Sequence, residues 1–82
     1  MLKAKVFITL KKSILDPQGS TIKRALNSMG YPEVLDVRQG KVMEIKLENV
    51  GLEKAAQLVE EMCQKLLANP VIEEYTFELL ED

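Results

Sequence analysis

The sequence has no histidine and a single cysteine, Cys63, among its 82 residues. A lone cysteine closes no internal disulfide, which points to a reducing, cytoplasmic setting. Without histidine, and with one thiol, zinc, copper and Cys–His chemistry lack their usual ligands and bases. No C-x-x-C pair marks a ferredoxin-like metal carrier. Neither G-x-G-x-x-G nor a phosphate-cradling Walker loop occurs. Aromatic residues are scarce, two Tyr and two Phe, and only Phe7 falls where an RNA-binding sheet would stack bases. An acylphosphatase-like phosphate loop wants an arginine between the first strand and the first helix, and "KKSILDPQG" has none. There is no excess of basic charge: 11 basic and 13 acidic residues give a net charge of −2, which argues against nucleic acid as a partner. No apolar run approaches membrane-spanning length. Lys3 and Lys5 interrupt the N-terminal apolar residues at once, so no signal peptide is expected.

What is present is the composition of a soluble globular domain, 46% hydrophobic and 29% charged. The length predicts one domain over residues 1–82, with a core two layers thick that gains stability by association. Residues 2–11 alternate, with Ala4, Val6, Ile8 and Leu10 on one side and Lys3, Lys5, Phe7 and Thr9 on the other, which predicts a strand with one buried face. Residues 17–29 change period. Ile22, Ala25, Leu26 and Met29 make a helical stripe, Asp16 is its N-cap, Pro17 its first residue and Gly30 its left-handed C-cap. Residues 34–48 read as a hairpin turning at Gln39-Gly40. Residues 52–68 read as a longer helix with a stripe of Leu52, Ala55, Ala56, Val59, Met62, Cys63 and Leu66, ended by Asn69-Pro70. Residues 72–80 alternate again. The order β-α-β-β-α-β predicts an α+β, two-layer, ferredoxin-like-related sandwich, with two helices on one face of a mostly antiparallel four-stranded sheet.

Candidate chemistry is sparse. Cys63 lies on an apolar stripe and reads as a buried structural thiol. Glu60-Glu61, Glu73-Glu74 and Glu81-Asp82 are adjacent in sequence and point apart, so they read as solvated charges rather than acid/base pairs. No catalytic, cofactor-binding or metal-binding residue is expected. With a strand order of 4-1-3-2, the open face of the sheet carries Phe7, Val34, Val42 and Leu80. Several apolar residues on one exposed face predict an oligomer interface. Gln18 and Gly19 are not needed to start a helix, and a glycine there suits close approach of another backbone.

At "LDPQG" (15–19), "VRQGK" (37–41) and "LLANPVIEEY" (66–75) the sequence resembles the PurS family, over essentially the whole chain. That family is the small subunit of phosphoribosylformylglycinamidine synthase in purine biosynthesis. The resemblance implies a homo-oligomer, dimer or tetramer, working with a large synthetase subunit and a glutaminase subunit. The glutaminase frees ammonia, and the large subunit uses ATP and magnesium to activate the substrate amide. The small subunit joins the two and is not the seat of catalysis. On this reading Gln18, Gly19, Arg38 and Lys41 are the candidate partner-contact residues. The same element order is also that of ACT-type regulatory domains, which bind an amino acid near the first loop and helix. That is the alternative the residues leave open.

Overall fold

The computed structural model describes residues 1–81. The chain runs through β1 (Leu2–Leu10), α1 (Pro17–Ser28), β2 (Gly40–Leu47), α2 (Leu52–Met62), a π-helical turn (Cys63–Leu67) and β3 (Glu73–Glu81). The α+β class and its two-layer character stand. The sheet has three strands in the order β2-β1-β3, and both pairings are antiparallel.

The alternation in β1 places it at the centre of the sheet. Leu2, Ala4, Val6 and Ile8 are buried, and Ala55, Val59 and Cys63 pack with them from the helical layer. Full burial of a side chain such as Val6, Ile8 or Val59 stabilises the fold by about 1.5–3 kcal/mol. The register sets Val6 between Met43 and Phe77, and Ala4 between Ile45 and Leu79. These flanking residues are half-buried at the rim of the core.

Both predicted caps of α1 are formed. The Asp16 carboxylate accepts the Gly19 N–H at 2.9 Å and Pro17 opens the helix. At the other end Gly30 has φ 103°. The Tyr31 N–H reaches the Leu26 carbonyl at 3.1 Å and the Gly30 N–H the Asn27 carbonyl at 3.3 Å, a paired C-terminal closure that needs a left-handed residue.

Three expectations are corrected. Residues 34–39, expected as the first strand of a hairpin, belong to no strand, and Gln39-Gly40 is not its turn. The segment is held instead at the start of α1, where its backbone finds other partners. The stripe of α1 does not lie on this chain's own sheet: only Gly19 of the helix is buried, Ile22 is 39% and Met29 70% exposed, and no α1 residue joins the core cluster. The stripe of the second helix also shifts at its end. The Ala68 N–H bonds the Cys63 carbonyl at 3.0 Å, five residues back. This wider turn carries Leu66 out to 83% exposure and brings Leu67 against the core.

Candidate functional site

The ends of β1, α1, β2 and β3 meet at one place. Here a recess of about 220 Å³ is lined by Thr9, Asp16, Gln18, Gln39, Lys41 and Glu73 among others. Its wall is built from carboxylates that hold backbone N–H groups. Asp16 is buried, though charged. One of its oxygens caps α1 at Gly19, and the other accepts the Gln39 N–H at 2.7 Å. These two bonds, first Gly19 and then Gln39, hold its carboxyl below the ordinary aspartate range, with Arg38 adding to them against the opposing effect of burial. Glu73 accepts the Asn69 N–H at 2.7 Å and pairs with Lys41 at 3.4 Å. The Asn69 bond is the larger cause of its lowered pKa and Lys41 the smaller.

Two of the four partner-contact candidates, Gln18 and Lys41, line this recess. Gln18 also borders a shallow groove of about 390 Å³ with Pro17, Thr21, Ile22 and Gln39. The other two are committed within the chain. Gly19 is buried, and a Cβ there would stand 2.1 Å from the Val37 carbonyl oxygen. The close backbone approach expected at this glycine is therefore made by the chain's own segment, not left for a partner. Arg38 donates to the Ile14 carbonyl at 2.7 Å and the Lys12 carbonyl at 2.8 Å, with Asp36 3.8 Å away. Asp16, Gly19, Val37, Arg38 and Gln39 thus form a clamp between the root of α1 and the strap before β2. Sequence reasoning missed the clamp, because the Asp16–Gln39 bond joins residues 23 apart. The pairing of two motifs, "LDPQG" and "VRQGK", was the available signal.

The opposite face of the sheet carries the apolar candidates. Phe7, 37% exposed, lies in register with Val42 on β2 and Thr76 on β3. Val42 is 59% and Leu80 40% exposed on this same face. Val34 is not there. It follows α1, where its N–H donates to the Tyr31 carbonyl at 3.2 Å and its own carbonyl accepts from the Asn27 side chain at 3.2 Å. The missing fourth strand is the reason.

Two further titratable groups sit against the core. Cys63 is buried, and desolvation, with the Glu60 charge, pushes its thiol pKa up and away from the reactive thiolate. The Tyr75 hydroxyl donates to Glu60 at 2.7 Å, and that bond is the main cause of its raised pKa. Among the described residues no group of three or more His, Cys, Asp and Glu is placed to hold a metal ion, and no helix is long and apolar enough to cross a membrane.

The described residues thus present a hydrogen-bonded joint, an exposed helix and a sheet face with apolar residues. Comparison with known proteins gives the family. The family model for PurS, phosphoribosylformylglycinamidine (FGAM) synthase, matches residues 3–81. The PurS subunit of phosphoribosylformylglycinamidine synthase from Bacillus subtilis is 54% identical over 81 residues, 99% of this chain and 95% of the relative. That from Methanocaldococcus jannaschii is 52% identical over 75 residues, 92% of this chain and 90% of the relative. The fold overlays on solved M. jannaschii PurS with a TM-score of 0.90 at 48% identity, covering 100% and 99% of the two chains. It overlays on a chain of Thermotoga maritima PurLQS with a TM-score of 0.85 at 33% identity, covering 98% and 99%. With model, sequence and fold agreeing along nearly its full length, the chain belongs to the PurS family of phosphoribosylformylglycinamidine synthase subunits.

Proposed function

We propose that this chain is the small, non-catalytic subunit of a phosphoribosylformylglycinamidine synthase assembly, acting in purine biosynthesis as the piece that joins a glutaminase subunit to an ATP-dependent synthetase subunit. The observation that carries the reading is the full-length likeness to a chain of the T. maritima PurLQS structure. The chain's own chemistry is consistent with it. There is no histidine, the one thiol is buried and poorly acidic, and the carboxylates of the recess are occupied with backbone N–H groups and Lys41. In this reading ATP and magnesium are used by the large subunit. Gln18 and the exposed Lys41, itself paired with Glu73, are the side chains beside the clamp that would face a partner.

The chain also works as a homo-oligomer. Its radius of gyration is 16.2 Å, against about 12 Å for a compact chain of this length. Its apolar sheet face, Phe7, Val42 and Leu80, is one surface that association would cover. The ACT-type alternative finds no support among these relatives, and the recess that would take an amino acid has its carboxylates already bonded. The test is co-elution. Mixed with the glutaminase and synthetase subunits, the chain is expected to migrate as part of one larger complex. Separate elution of all three, in the presence of substrates, would contradict the proposal.

A further inference from the structure

We draw no further inference here: the strongest candidate, the recess where the ends of β1, α1, β2 and β3 meet, has its carboxylates Asp16 and Glu73 already bonded to backbone N–H groups and to Lys41, and among the described residues no unpartnered buried polar side chain points to a ligand there.

Discussion

Asp16 shows how one short side chain organises a fold. Each of its oxygens serves a different stretch of chain, the start of α1 and the strap before β2. Asp16→Asn keeps the shape but puts an NH2 donor where one oxygen accepts, so one of the two backbone N–H groups loses its acceptor, and the melting temperature should fall by roughly 4–8 °C. The pH dependence follows from its lowered carboxyl. A carboxylate whose folded pKa is depressed contributes stability that is fully present above its ordinary value, 3.8 here, and lost as pH falls through the lowered folded value. Glu73, lowered for a like reason, adds loss over the same acid window. Denaturant unfolding between neutral pH and pH 3 should therefore show a shallower acid decline in Asp16→Asn than in the wild type. Gly19 is the other decisive residue. On helix propensity alone, Gly19→Ala would stabilise the chain. The Val37 carbonyl, 2.1 Å from where the methyl would sit, reverses the sign. Thermal unfolding should show a lower midpoint for Gly19→Ala, whereas Gln18→Ala should unfold as the wild type does.

At the scale of elements, what could be read in advance was what is local. The period-two pattern of β1, the cap of α1 at Asp16 and the left-handed stop at Gly30 are written in neighbouring residues, and each is found. The hairpin over 34–48 was misread because alternation at Leu35 and Val37 says nothing of competing partners. Asp16 and Gly19, about twenty residues away, claim that backbone first. The end of the second helix was misread for another reason. A fixed 3.6-residue period assigns Leu66 to the core, and one π turn hands that place to Leu67. Paired alanine variants check this. Leu67→Ala should cost about 1–2 kcal/mol in urea unfolding, and Leu66→Ala less than about 0.5 kcal/mol. Of the candidate site, Gln18 and Lys41 were legible through the "LDPQG" and "VRQGK" motifs, and both line the recess. The commitment of Gly19 and Arg38 was not, since both contacts cross the chain.

The whole molecule is a slab of 49 × 28 × 14 Å, too thin and too long to bury both of its apolar surfaces by itself. One surface is the stripe of α1 and the other the Phe7–Val42–Leu80 face. A charge at the centre of the second should separate the two roles: Phe7→Glu is expected to reduce the sedimenting mass at micromolar concentration while the circular dichroism of the fold is kept. The central claim is that such an assembly supplies connection and no chemistry. It is tested most directly by glutamine-dependent amidine formation with the purified synthetase and glutaminase subunits, measured with and without this chain. The account predicts that the chain alone turns over neither glutamine nor ATP, and that adding it restores the glutamine-driven reaction to the other two. Turnover by the isolated chain, or an equal rate in its absence, would contradict it.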